Sequence, residues 1–196
     1  MSITYTNRKG VTYHLCRGVT KTGKPRYYFA REPRDEPVNE IPQGYRIGES
    51  VNGVVSLGKE YESPFWPEEV AAVETVLRRH PQARAYRVDV RRGAIDVCEQ
   101  QGGGADVLLD ELGALGLSLS RPRTEKYRAY LEQIARYAPV LRFTLADASR
   151  RDFDVHRWCY RGRINGWLDL HRHGPVLQLA REVIPTLGTD DFFELW

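Results

Sequence analysis

The stretch PEEVAAVETVLRRHPQARAYRVDVRRGAIDV, residues 67–97, changes its hydrophobic period part-way along. In its first half Val70, Val73, Val76 and Leu77 recur at helical spacing. Pro67 opens the run ahead of Glu68 and Glu69, and Arg78, Arg79 and His80 close it, so acid comes first and base last, as a helix dipole favours. Pro81 stops the helix. Beyond it Tyr86, Val88 and Val90 alternate, Arg92-Gly93 turns the chain, and Ile95 and Val97 return, which reads as a hairpin. A helix that leads into a hairpin, instead of standing between two parallel strands, predicts antiparallel pairing.

The flanks repeat that grammar. Upstream, Val11, Tyr13 and Leu15 alternate with polar neighbours, and Arg26–Arg31 is an aromatic, strand-like run; the polar turn over residues 20–25 between them, with Gly23 and Pro25, predicts a hairpin. Residues 32–44 hold three prolines and Gly44 and read as a loop. Tyr45–Glu49 and Val54–Lys59 flank Asn52-Gly53, a pair suited to a tight turn. Downstream, the QQGGG run at 100–104 reads as a linker and 105–115 as a short helix. A stronger helix is expected from a cap at Thr124, with Tyr127, Leu131, Ile134 and Tyr137 on one face and Pro139 ending it. Leu141, Phe143 and Leu145 alternate as a strand. Phe153–Tyr160 and Trp167–His171 follow as two more, turning around Gly162–Gly166. Pro175 opens a helix to about Ile184, and Thr189 caps a last turn before the aromatic end Phe192, Phe193, Leu195 and Trp196, which is expected to fold back onto the core. Hairpins dominate and no strand-helix-strand alternation is sustained. The expected class is α+β, with antiparallel sheets from hairpins and three to four segregated helices, divided into an N-terminal β module over 1–60 and an α+β domain over 61–196.

Composition narrows the function classes. Hydrophobic residues make up 41% and charged residues 28%, enough to bury a core and too apolar for a disordered chain. No window approaches the roughly 18 apolar residues of a membrane span. The N-terminal MSITYTNRKG lacks the apolar stretch of a signal peptide, so the cytoplasm is the expected compartment. Cys16, Cys98 and Cys159 are far apart and form no CxxC pair, and three reduced, buried thiols are expected. Charge is segregated along the chain: residues 1–31 carry seven Lys and Arg and no acid, 32–120 a net −7, 121–163 a net +6 and 164–196 a net −3.

The acid-free opening carries the main functional expectation. Arg8, Lys9, Arg17, Lys21, Lys24, Arg26 and Arg31 interleave with Tyr5, Tyr13, Tyr27, Tyr28 and Phe29. Cations for phosphates beside aromatic faces for bases, displayed on a β surface, are the equipment of single-strand and RNA binders. The plainer reading is that half of the aromatics face a core and that edge cations prevent aggregation. A second basic run places Arg121, Arg123, Lys126 and Arg128 at a helix start, where the dipole disfavours them, so that an acidic or polyanionic partner would compensate; internal pairing with Glu125, Asp147, Asp152 and Asp154 is the alternative. His156, Cys159, His171 and His173, with Asp152, Asp154 and Asp169, loosely resemble metal-site spacing. Positions three apart on a strand diverge, however, and only His171 and His173 share a face. Nucleophile-elbow, P-loop, HExxH and dinucleotide motifs are missing.

YTNRKGVTYHL, followed by TKTGKPRYYF and IPQGYRIGESVNGVVSL, resembles the opening of a family of functionally uncharacterised bacterial hypothetical proteins over about the first third of the chain. The resemblance implies a self-contained N-terminal β module and carries over no catalytic or binding residue. The expected function is a nucleic-acid-binding accessory protein without catalysis, contacting DNA or RNA through Arg8, Lys9, Arg17, Lys21, Lys24, Arg26, Tyr27, Tyr28, Arg121 and Arg123. No metal, cofactor or membrane enters that reading. The alternatives are a module that binds a protein partner or a second copy of itself and, behind it, a metal-dependent hydrolase.

Overall fold

The computed structural model describes residues 2–33, 35–102, 104–116, 120–161 and 164–194. In chain order the strands and helices are β1 (Thr4–Thr6), β2 (Thr12–Val19), β3 (Pro25–Ala30), β4 (Glu36–Pro37), β5 (Tyr45–Glu49), β6 (Val55–Lys59), α1 (Pro67–Arg78), β7 (Tyr86–Arg91), β8 (Ala94–Gln100), α2 (Gly104–Ala114), α3 (Arg121–Ile134), β9 (Tyr137–Asp147), β10 (Asp152–Arg161), β11 (Ile164–Pro175), α4 (Val176–Val183) and α5 (Asp190–Glu194). Every strand pairing is antiparallel. The class is α+β. The chain divides into two compact units, Met1–Tyr61 with Ala105–Ala135, and Glu62–Gly104 with Arg136–Trp196, so each is assembled from two separate stretches.

In the first unit β2 is the central strand. It pairs with β3 along one edge and with β1 and then β4 along the other, and β5 and β6 form a separate hairpin. Two-residue periodicity decides what β2 buries: Leu15 is fully buried on one face and Cys16 on the other. Within this unit α3 is tied back to the turn after β1, because Lys9 Nζ donates to the Ala135 carbonyl at 2.9 Å and the Gln133 amide donates to the Lys9 carbonyl.

The second unit is a five-stranded sheet in the order β11-β10-β9-β8-β7. One face supplies Ile95, Val97, Leu141, Phe143, Phe153 and Val155 to a core completed by Val73 and Leu77 of α1 and by Val176, Leu179 and Val183 of α4. The aromatic end docks in part: Phe192 is in this core, Phe193 is exposed, and Leu195 and Trp196 lie outside the described residues. A polar clamp fixes the start of α1. Glu69 accepts from the Trp66 amide at 2.8 Å and from Arg151 Nε at 2.8 Å, and the Arg151 guanidinium lies 4.3 Å over the Trp66 ring. Among the described residues no helix is long and apolar enough to cross a membrane.

The helix at 121–134 departs from expectation at both ends. It starts three residues before Thr124, with Ser120 at the N-cap and Pro122 in the first turn, while Thr124 Oγ1 donates back to the Ser120 carbonyl at 3.3 Å. It also stops earlier, because Ala135 turns extended (φ −51°, ψ 141°), and Tyr137 and Pro139 are strand residues instead of helix end and breaker. Proline is tolerated there because the ladder slips: the register between β8 and β9 shifts between Val97 and Cys98, and Cys98 stands opposite Pro139, which has no N–H to give. The segment read as a loop over 32–44 contains the two-residue strand β4, and β1 precedes the expected hairpin. Gly103 of the expected linker and Gly162 of the expected turn lie outside the described residues.

Candidate nucleic-acid interface

The β2–β3 hairpin folds because its turn closes without strain. Thr20 N–H donates to the Lys24 carbonyl at 2.8 Å, Gly23 N–H donates to the Thr20 carbonyl at 2.9 Å, and Gly23 takes the left-handed conformation (φ +79°) that glycine alone adopts cheaply. That turn presents Lys21 and Lys24 to solvent, with Arg26 exposed just beyond.

Register places the expected residues on two faces. Arg17 stands opposite Tyr27 across β2–β3 and opposite Glu36 across β2–β4, giving the row Tyr27, Arg17, Glu36. Gly18 stands opposite Arg26 and Cys16 opposite Tyr28, which puts Arg26 and Tyr28 on the other face. The first row lines a cavity of about 510 Å³ together with the wall formed by the segment after β4, which includes Asn39, Glu40 and Gln43. The wall is pinned, because Val38 N–H donates to the Leu15 carbonyl at 3.0 Å and its own carbonyl accepts from Ile3 N–H at 2.8 Å. A smaller cavity of about 300 Å³ shares Arg17 and Glu36 with the first and reaches Gly23 and Pro25 of the turn.

The acid-free run is not acid-free in space. Arg17 is 3.9 Å from Glu36, both exposed. The Tyr28 hydroxyl donates to Asp35, which lifts its pKa above the ordinary value. The Tyr5 hydroxyl donates to Glu49 at 2.9 Å with the same consequence, and the Arg8 amide donates to the other oxygen of Glu49 at 2.9 Å. Lys9 is spent on Ala135. Of the ten residues expected to form the site, the cavity row brings together Arg17 and Tyr27, and Lys21 and Lys24 are exposed on the adjoining turn. Arg26 and Tyr28 face the other way, Arg26 lying 5.7 Å over the Tyr28 ring. Arg8 and Lys9 sit at the separate turn after β1. Arg123 lies on α3 in the same unit, and the Arg121 side chain lies outside the described residues.

The second basic run is divided between the units, and three of its arginines beyond α3 are paired with acids: Arg142 with Asp96, Arg150 with Asp152 and Arg151 with Glu69. The His/Asp set does not converge. Cys159 is buried along the Val155 side of β10, whereas His156 lies on the opposite face. A bulge in β11 separates the pairs Asp154–His173 and His156–Asp169 and holds His171 at φ +52°, so His171 and His173 take different carboxylates. Among the described residues no group of three or more His, Cys, Asp or Glu is placed to hold a metal ion.

Sequence reasoning passed over the face of the five-stranded sheet opposite α1 and α4. Asp96 is fully buried there, receiving Arg142 Nε at 2.7 Å and Nη2 at 2.9 Å, with Arg91 at 3.4 Å. The Arg142 guanidinium lies 4.1 Å over Trp167, which packs edge-on against Trp158. Burial, with Asp89 and Asp96 nearby, pushes the Cys98 thiol up to about 12 and leaves it unreactive near neutral pH. The available signal was an acid set between Ile95 and Val97, inside the apolar run Ala94–Cys98. No family model, curated protein or solved structure matches the chain.

Proposed function

We propose that the protein binds single-stranded nucleic acid without acting chemically on it, through the β2–β3 hairpin and the cavity beside it. The observation that carries this reading is Tyr27 facing Arg17 at the mouth of a cavity of about 510 Å³. An aromatic ring and a guanidinium plane are the two surfaces on which unstacked bases are held. The amide side chains of Asn39 and Gln43 each offer a donor and an acceptor for a base edge. Glu36 and Glu40 repel phosphate, so the base enters the cavity while the backbone runs along the turn, over Lys21 and Lys24. The Arg17–Glu36 pair is long and exposed, and such a pair exchanges a carboxylate for a phosphate at little cost.

Fluorescence polarisation with labelled single-stranded RNA and DNA of about ten nucleotides, across a salt series, tests this. With about three phosphates neutralised by Arg17, Lys21 and Lys24, the slope of log affinity against log salt is about −2. Undetectable binding to both strands at low salt, or binding without salt dependence, contradicts the reading.

A further inference from the structure

Helices α2 and α3 pose a separate physical problem. They have 11 and 14 residues, lengths at which an isolated helix is marginal in water and depends on burying one face. Yet no described side chain of either helix is buried. Val107 is 48% exposed, Tyr130 54%, Ile134 49%, and Leu115, just past α2, 75%.

The exposed stripes are complementary. On α2, Val107, Asp110, Glu111 and Ala114 follow at the i, i+3, i+4, i+7 spacing of one helix face, and α2 contains no Lys or Arg. On α3, Arg123, Lys126, Tyr127 and Tyr130 follow at the same spacing, line a shallow cavity of about 320 Å³, and continue to Ile134. One stripe is acidic and aliphatic, the other basic and aromatic. Both face solvent in the single chain, so neither covers the other.

We propose that the occupant is a second copy of this chain, with α2 of each copy lying on α3 of the other in a reciprocal, two-fold arrangement. Asp110 and Glu111 of one copy then meet Arg123 and Lys126 of its partner. Val107 fills the tyrosine-lined cavity, and each helix gains a second covered face beside the half-buried one formed by Leu108, Leu109 and Leu112 on α2 and by Thr124, Arg128 and Leu131 on α3. Cations in the first turn of α3, where the dipole opposes them, are offset by the incoming carboxylates. This goes beyond the nucleic-acid reading and uses none of the hairpin residues.

Multi-angle light scattering on the full chain tests it with two charge-reversed variants, Asp110→Lys/Glu111→Lys and Arg123→Glu/Lys126→Glu. The wild type is expected at twice the 22.6 kDa of one chain. Each variant alone is expected at the mass of one chain, since like charges oppose in both contacts. An equimolar mixture is expected to recover the doubled mass, because in the mixed dimer both contacts are again complementary. Recovery on mixing also shows that the variants fold. A wild type of single mass overturns the proposal, as does a dimer indifferent to the substitutions, or a mixture that stays at single mass. Loss of RNA binding by Arg123→Glu/Lys126→Glu in a chain that is a monomer throughout would assign the α3 stripe to nucleic acid instead.

Discussion

Tyr27 and Tyr28 are neighbours with opposite duties, and the difference is one residue of β periodicity. Tyr27 shares a face with Arg17 and opens onto the cavity; Tyr28 shares a face with Cys16 and gives its hydroxyl to Asp35. Tyr27→Ala is therefore expected to weaken RNA binding by about 5- to 150-fold, the 1–3 kcal/mol of one stacked base, while Tyr28→Phe leaves the affinity within about twofold. Equal losses in the two variants, read by polarisation, would refute the assignment of faces. His173 is a second residue whose surroundings set its behaviour. Its Nδ1 is 2.8 Å from Asp154 and its Nε2 3.5 Å from Asp152, with Arg150 opposing from beyond Asp152. The Asp154 bond, helped by both carboxylates, raises its pKa above the ordinary 6.5. A raised pKa in the folded state means that the contribution is fully present below the unfolded value and is lost as pH rises through the folded one. A proton NMR titration should find His173 above 6.5 and lowered by Asp154→Asn; an unchanged midpoint in that variant would contradict the pairing.

At the scale of elements, legibility followed locality. The hairpins β2–β3, β5–β6 and β7–β8 and the helices α1 and α4 were readable because turn chemistry and period sit in adjacent residues. β1 and β4 were not, since each exists only by pairing with β2, and three- and two-residue strands carry no period of their own. The C-terminal limit of α3 was misplaced because Tyr137 extends the helical apolar spacing while its backbone belongs to β9. The Asp96–Arg142 pair, which ties β8 to β9, was equally illegible: an Asp in a strand is ordinarily solvent-facing, and only the register shows an arginine beside it. Removing that arginine leaves a fully buried carboxylate with only the half-exposed Arg91, 3.4 Å away, to balance it. Arg142→Met is expected to destabilise the second unit by about 3 kcal/mol. Every tryptophan of the chain falls within the segments of that unit, so urea unfolding followed by tryptophan fluorescence reports on it. A midpoint equal to wild type would show that the pair contributes nothing.

Over the whole molecule, charge read in chain order and charge read in space diverge. The acid-free first 31 residues acquire Asp35, Glu36 and Glu49 from the segments that fold against them, and the run 121–163 is split between two units, with Arg142, Arg150 and Arg151 paired to acids in the second. What survives is narrower than the sequence suggested: Lys21 and Lys24 on an ordered turn, and Arg17 and Tyr27 beside a cavity. The cavity itself was invisible in the sequence, because one wall comes from a loop positioned by two main-chain hydrogen bonds at Val38. The most direct measurement is photo-crosslinking of a 4-thiouridine-substituted single-stranded RNA to the intact protein, followed by tryptic mapping. A base stacked on Tyr27 predicts the principal adduct on the peptide Tyr27–Arg31, abolished by Tyr27→Ala and reduced by raised salt. Adducts confined to other peptides, or a Tyr27–Arg31 adduct that persists in Tyr27→Ala, would contradict it.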